Sequence, residues 1–355
     1  MHFSAVPQET KTQIKNAGTI LLQNKPPDPK FHQALELAER WRACHAYPLN
    51  TFQTTLRTKL RRSNYTGEPI AAQRLKRMPT IINKLKLYPA MNLTTMQDIG
   101  GVRAILGSVK EVYALVDDYR NSDRLAHDLS GVKDYIKSPR SEDGYRSVHL
   151  IYRYKNARKP DYNGLRIELQ IRTRLQHIWA TTVESMGTVL GQALKSRQGE
   201  QQWLDFFAIT SSAIAHMEET SPIPRFSQLS LKETFQRVAR AEQHLGALRI
   251  MRGLSVAVNA IPRIKPAAAW FYHLIILDSL NRTVRIQAYD RDSIKDAVAD
   301  YAGFEARAAK GEKIEPVLVS AGPIKDLRLA YPNFFLDIGD FVQIVSEMIP
   351  AGKSQ

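Results

Sequence analysis

The sequence predicts an α+β protein: a small mixed sheet flanked by helices, with a second and smaller α/β unit behind it. Three observations carry this. In the first 220 residues, short β-prone runs alternate with stretches of helical period. A Pro/Ser-rich segment, SPIPRFSQLS (221–230), interrupts the pattern and sets a boundary between residues 1–220 and 225–355. The charge divides near the same place. Residues 1–200 hold 32 Lys+Arg against 18 Asp+Glu, a net of +14, whereas the remainder hold 18 against 17.

The elements follow in order. Residues 31–63 and 70–87 repeat apolar positions at helical spacing, the second with Arg74, Lys76, Arg77, Lys84 and Lys86 interleaved. GGVRAILGS (100–108) is a short apolar strand behind a Gly-Gly turn, and 110–122 returns to helical period. Residues 130–147 read as loop. SVHLIYRY (147–154) and LRIELQIRT (165–173) read as a strand pair, with KNARKPDYNG between them as the hairpin loop. A helical region spans 174–219. Beyond the boundary, Ser230 and Glu233 have the form of a capping box opening a helix over 231–252. A hairpin with its turn at Asn281-Arg282, a helix near 292–310, a strand at PVLVSAG and a terminal helix complete the chain.

Composition narrows the function. With 43% hydrophobic residues in 355, the chain can bury a core. Its single cysteine, Cys44, excludes a disulfide framework and a cysteine-rich zinc site, and suits a reducing cytoplasm. No apolar run reaches the roughly 18 residues of a membrane span, and the N-terminus lacks a signal pattern. A formal charge of +15 points to a polyanionic partner. The sequence contains neither a P-loop nor the kinase motif set.

Alternation along 165–173 places Arg166, Glu168, Gln170 and Arg172 on one face of a strand and Leu165, Ile167, Leu169 and Ile171 on the other. Asp98 precedes Gly100-Gly101. The two carboxylates suit a hard cation such as Mg²⁺, and equally a salt-bridged strand face. Tyr145, His149 and the cations Lys133, Lys137, Arg140 and Arg146 surround a glycine-containing loop. That pairing suits base stacking beside phosphates, or an aromatic packed at the edge of the core. Trp179 lies at helical spacing with Leu175 and Val183 and reads as core.

The runs RLKRMPTIINK (74–84), DIGGVR (98–103), DYIKSPRSEDGYRSVH (134–149), IELQIRT (167–173) and WATTVE (179–184), in this order, resemble the synthetase domain of RelA/SpoT homologues, over roughly residues 45–210. The resemblance implies a nucleotidyltransferase-like fold and transfer of pyrophosphate from ATP to a nucleotide 3′-hydroxyl. It implies that Arg74 and Arg103 sandwich the adenine, that Lys76, Thr80 and Lys84 hold phosphates, and that Asp98 binds Mg²⁺. Glu168 would complete the metal site or activate the hydroxyl. Tyr145 would stack on the acceptor base, with His149 and Gln170 orienting the acceptor. The family's hydrolase motifs have no counterpart.

The segment VLVSAGPIKDLRLAYPNFFLDIGDF (317–341) resembles the C-terminal part of CapRel-type fused toxin–antitoxin proteins. There the implied activity is transfer to the tRNA 3′-CCA end, held off by a pseudo-zinc-finger C-terminal unit without zinc until a phage protein, such as a major capsid protein, binds. Tyr331 and Phe334 would be the inhibitory pair, with Phe334 standing where the family pattern has tyrosine. The same stretch suits a turn with core aromatics. Lys133, Lys137, Arg140, Arg153, Lys155, Arg158 and Lys159 are the expected tRNA-backbone surface. Free nucleotides, making (p)ppGpp or (p)ppApp, are the alternative acceptors.

Overall fold

A computed structural model describes residues 3–23, 26, 28–66, 68–122, 125–189, 201–258, 272–278, 283–290, 293–320 and 338–353. Helices α1 (Lys11–Gln23), α2 (Pro29–Cys44) and α3 (Ala46–Arg62) come first. Asp28 caps α2, its side chain accepting from the Lys30 N–H at 2.8 Å, and Pro29 fits the first turn. The single helix expected over 31–63 is broken at His45. Pro48 supplies the reason: its ring clashes with the carbonyl four residues back, on Cys44, and it has no N–H to bond to it.

The expected helix over 70–87 is likewise two elements, strand β1 (Ile70–Leu75) and helix α4 (Met78–Leu87). Pro79 cannot lie deep inside a helix but fits its first turn. The residues ahead of it instead pair with β2 (Gly100–Leu106) in an antiparallel ladder from Ile70↔Ile105 to Leu75↔Gly100. Tertiary pairing overrides the helical spacing, and Arg74 sits on a strand. Helix α5 (Val109–Arg120) follows, capped by Ser108. Within the expected loop at 130–147 runs β3 (Asp128–Asp134), an exposed edge strand with a register shift near Leu129 and no apolar alternation to betray it. Strands β4 (Val148–Arg153) and β5 (Arg166–Thr173) pair antiparallel as expected.

β5 runs parallel to β2, which makes the sheet mixed. A Cβ on Gly100 would meet Ile167 Cδ1 at 2.7 Å, so a larger residue there would oblige the Ile167 side chain to shift. Helices α6 (Arg174–Val189) and α7 (Gln201–Met217) follow; residues between them lie outside the described part. Past the 221–230 segment come α8 (Leu231–Leu245), α9 (Ala247–Val258), β6 (Tyr272–Asp278), β7 (Thr283–Tyr289), α10 (Ile294–Ala309), β8 (Ile314–Ser320) and α11 (Gly339–Lys353). The capping box at Ser230 and Glu233 is present, and α8 stops at Leu245, where Gly246 takes the left-handed conformation (φ 64°), so the helix expected over 231–252 is divided there between α8 and α9. The Asn281-Arg282 turn lies outside the described residues.

Among the described residues the sheet has eight strands in the order β3-β4-β5-β2-β1-β8-β6-β7, larger than the sequence suggests, because β8 joins β1 by two rungs, Gln73↔Ser320 and Arg74↔Val319. One core lies among α1–α5 and strands β1, β2, β4 and β5, centred on Phe52, Ile81, Leu115 and Leu169. A second joins α6 and α7 to α8, α9 and α11, with Phe207 meeting Trp179, Phe206 and Phe341.

The corner between α2 and α3 carries a pH-sensitive group. His45 is 1% exposed, its Nδ1 is 2.8 Å from the Trp41 carbonyl oxygen, and burial pushes it down to about 4 despite that bond. The unfolded chain takes up this proton near 6.5 and the folded chain only near 4, so this stability is full above 6.5 and is lost as pH falls toward 4. Urea unfolding at pH 7.5 and 5.0 is expected to show a loss of about 2 kcal/mol in the wild type that His45→Gln does not share. Equal losses in both would refute the assignment.

Candidate functional site

Strand alternation builds the site. Glu168, Gln170 and Arg172 point from β5 to the sheet face opposite Ile167, Leu169 and Ile171, which are fully buried in the first core. Register brings Arg103 of β2 and His149 of β4 beside Gln170, Lys133 of β3 beside His149, and Arg74 of β1 beside Gly101. Gly101, opposite Glu168, leaves space: no side-chain atom lies within 4 Å of where its Cβ would stand. Helix α4 adds Thr80 and, one turn on, Lys84.

These side chains line one cavity of about 460 Å³. Arg74, Lys76, Thr80, Lys84 and Arg103 contribute to its wall, as do Tyr145, His149 and Gln170, together with the carboxylates Asp98 and Glu168. Every residue expected at the catalytic, donor and acceptor positions is therefore in one place, although 94 residues of chain separate Arg74 from Glu168.

Two charged clusters organise the cavity. In the first, Asp98 pairs with Lys76 Nζ at 2.9 Å and Lys84 Nζ at 2.8 Å. Burial alone would raise the Asp98 carboxyl, but the two ammonium groups outweigh it and hold it well below the usual carboxylate range. The backbone fixes this pairing, since the Lys76 N–H bonds the Ile99 carbonyl at 2.8 Å. In the second, Glu168 Oε1 lies 3.0 Å from His149 Nδ1, Glu168 Oε2 accepts from Gln170 Nε2 at 2.7 Å, and His149 Nε2 is 2.9 Å from the Tyr145 hydroxyl. Burial opposes a charged His149, but Tyr145 and Glu168 outweigh it and push His149 up to about 9. At neutral pH both ring nitrogens then carry protons, one donated to Glu168 and one to the Tyr145 oxygen.

Tyr145 is only 7% exposed. The Arg140 guanidinium covers its ring at 4.7 Å and Tyr135 meets it edge-on at 5.7 Å. Arg140 is fixed in turn by Asp143, through Nε at 3.1 Å and Nη2 at 2.6 Å. Gly144 makes the loop possible: its φ is +80°, and a Cβ would sit 2.6 Å from Ile223 Cδ1 and 2.7 Å from Ser211 Cβ. Tyr145 thus meets both readings of the sequence, being packed in the second core and lining the cavity.

The cations expected for RNA do not form one group. Lys133 and Arg140 line the cavity. Lys137 lies over the Tyr113 ring at 5.2 Å. Arg153 shares a sheet face with His149 but lies four residues further along β4, about 13 Å away. Lys155, Arg158 and Lys159 follow it, exposed, in the hairpin loop. Tyr331 and Phe334 lie outside the described residues.

Sequence reasoning gave no role to several cavity residues, among them Arg172, Glu184 and Tyr135. Arg172, 2% exposed, is pushed down to about 9 by burial and then by the neighbouring Arg103. Glu184 pairs with Arg74 at 3.8 Å, and Tyr135 stands against Tyr145 and His149. The alternation that singled out Glu168 also pointed to Arg172, four residues on.

Asp98 and Glu168 also line a smaller recess of about 40 Å³, beside Gly101 and Gln170, and are close enough that Asp98 acts to raise the Glu168 carboxyl. Burial raises it more strongly still, but His149, aided by the Gln170 amide, outweighs both, and Glu168 stays below its ordinary range. Mg²⁺ takes one or two carboxylates plus substrate phosphates, so this donor pair fits it. Among the described residues no group of three or more His, Cys, Asp or Glu side chains could hold a metal, nor is any helix long and apolar enough to cross a membrane.

Residues 73–186 match the model of the region found in RelA/SpoT proteins. An uncharacterised protein of Mycobacterium tuberculosis is 32% identical over 146 residues, 40% of this chain and 48% of the relative. The GTP pyrophosphokinase YwaC of Bacillus subtilis is 32% identical over 114 residues, 30% of this chain and 52% of the relative. The chain thus spans about half the length of the curated relatives it matches. Among solved structures, the small alarmone synthetase 2 of Bacillus subtilis aligns with a TM-score of 0.42 at 23% identity, covering 51% of this chain and 94% of that one. Small alarmone synthetase 1, bound to pppGpp, aligns at 0.43 and 22%, covering 51% and 92%.

Proposed function

We propose that the chain transfers the β,γ-pyrophosphate of ATP to a 3′-hydroxyl, with the CCA end of tRNA as the acceptor. The observation that carries this reading is the single cavity in which a cationic cradle faces two carboxylates. The 3′-oxygen attacks the β-phosphorus, the bond from that phosphorus to the α-bridging oxygen breaks, AMP leaves, and the hydroxyl proton passes to Glu168.

Arg74 and Arg103 flank the adenine, the first held by Glu184. Lys76, Lys84 and Thr80 hold the triphosphate, the lysines exchanging Asp98 for phosphate oxygens. Asp98 and Glu168 would hold Mg²⁺, which supplies neutralisation of charge on the transferred group. Tyr145 stacks on the acceptor base once Arg140 swings off its ring. His149 and Gln170 keep Glu168 aimed at the hydroxyl. Because His149 holds Glu168 ionised, the carboxylate is ready to accept the proton across the neutral range.

The exposed Arg153, Lys155, Arg158 and Lys159 and the +14 of residues 1–200 support an RNA acceptor, which needs several phosphate contacts. The names of the Bacillus subtilis relatives favour a second reading, a free nucleotide acceptor. ATP labelled at the γ-phosphate, incubated with deacylated tRNA or with GDP, GTP and adenosine nucleotides, separates them. Label on tRNA is expected. Label on free nucleotides alone selects the second reading, and label on neither once the restraint by residues 225–355 is relieved refutes pyrophosphate transfer.

We further propose that residues 225–355 restrain this activity as in CapRel-type fusions, Tyr331 and Phe334 acting on the donor site, and that a phage protein releases it in the cytoplasm. Transfer by the full chain is expected to rise when a phage major capsid protein is added. Failure of every phage structural protein to raise it would remove the sensing role.

A further inference from the structure

Helix α4, which carries Thr80 and Lys84, starts with Pro79 in its first turn but without a local side-chain cap. Its N-cap residue Arg77 makes no side-chain capping bond, and its first turn holds no acidic residue. The carboxylate that serves it comes from 227 residues further along the chain. Glu305 of α10 accepts the Met78 N–H at 3.2 Å through Oε1, which also accepts from the Tyr301 hydroxyl at 2.5 Å, and its Oε2 pairs with Arg42 of α2 at 3.2 Å. Arg42 completes the cluster by donating to Tyr301 at 3.1 Å and lying over its ring at 5.0 Å. Both members of the ion pair have side chains only 8% exposed.

A helix N-terminus has unsatisfied N–H groups and favours negative charge, so Glu305 does for α4 what a capping side chain does within a helix. The other end of the same segment is held by the same part of the chain, since β8 pairs with β1 at Arg74. Residues 74–78, which lead into the helix that carries Thr80 and Lys84, are thereby fastened at both ends by elements that follow residue 293.

We infer that Glu305 is a positioning residue for the donor site, capping α4 from outside so that Thr80 and Lys84 are ordered for the triphosphate. The inference rests on the ATP-donor reading above. It also means that undocking α10 would loosen the donor site, whatever the occupant of that site.

The test uses the full chain and the α,β-methylene analogue of ATP, whose binding is measured by calorimetry in magnesium buffer. Glu305→Gln retains an acceptor for the Met78 N–H and is expected to bind within about threefold of wild type. Glu305→Ala is expected to bind about tenfold more weakly. The triple substitution Arg42→Met, Tyr301→Phe, Glu305→Met replaces the buried polar cluster by apolar groups, which preserves stability but leaves no cap. It is expected to match Glu305→Ala in affinity while melting near wild type, and to speed hydrogen exchange of the amides of Met78 and residues 80–84 about tenfold. Wild-type affinity and wild-type exchange in the triple variant would overturn the inference. If neither the full chain nor the full chain with an activating phage protein binds the analogue, the ATP-donor reading falls, and the exchange rates still decide whether Glu305 caps α4.

Discussion

Glu168→Gln is expected to lower kcat for pyrophosphate transfer by about a thousandfold or more. The substitution keeps the shape of the side chain and its hydrogen bond with Gln170, so the strand face remains packed. What it removes is the charge on which three things depend: the acceptor for the hydroxyl proton, one of the two carboxylates that fit Mg²⁺, and the partner that keeps His149 protonated. With Glu168 neutral, burial prevails and His149 gives up its proton rather than remain charged beside an amide, so the fold survives. The affinity for the α,β-methylene analogue should stay within a few-fold of wild type, because Arg74, Lys76 and Lys84 do not bond Glu168. A loss confined to kcat is the signature of an interaction made only in the transition state. Wild-type turnover by Glu168→Gln would remove Glu168 from the chemistry and with it the reading of the β5 polar face.

That polar face shows what a one-dimensional pattern can and cannot carry. Alternation along 165–173 separated Glu168 and Gln170 from the core side chains because a strand places every second residue on the same side, whatever the rest of the fold does. The capping box at Ser230 and Glu233 was legible for the same reason, being a contact three residues long. The segment at 70–87 was not, because its apolar spacing suits a helix equally well. Only pairing with β2, a partner some thirty residues away, and the position of Pro79 decide that Arg74 lies on a strand. The coverage of Tyr145 by Arg140 and the capping of α4 by Glu305 were invisible for a stronger reason. They join groups whose proximity is created by the fold, the second across 227 residues, and no periodicity reports on such contacts.

Asp98→Asn is expected to separate binding from turnover in the opposite sense to a simple loss of affinity. In the protein without ligand, Asp98 neutralises both Lys76 and Lys84 at hydrogen-bonding distance. An asparagine leaves two ammonium groups facing one another in a partly buried cavity, and breaking such a pair costs about 3–5 kcal/mol. A triphosphate brings more negative charge than the lost carboxylate and restores the balance. ATP should therefore raise the melting temperature of Asp98→Asn by more than it raises that of wild type, since a ligand stabilises the folded state in proportion to its affinity. Turnover should fall by about a hundredfold or more, because one of the two carboxylates fitted to Mg²⁺ is gone and two lysines now grip the ground-state phosphates. A variant that turns over as wild type would exclude Asp98 from the reaction. One in which ATP protects less than in wild type would show that the lysines do not transfer from Asp98 to phosphate, and the donor site would then need another arrangement.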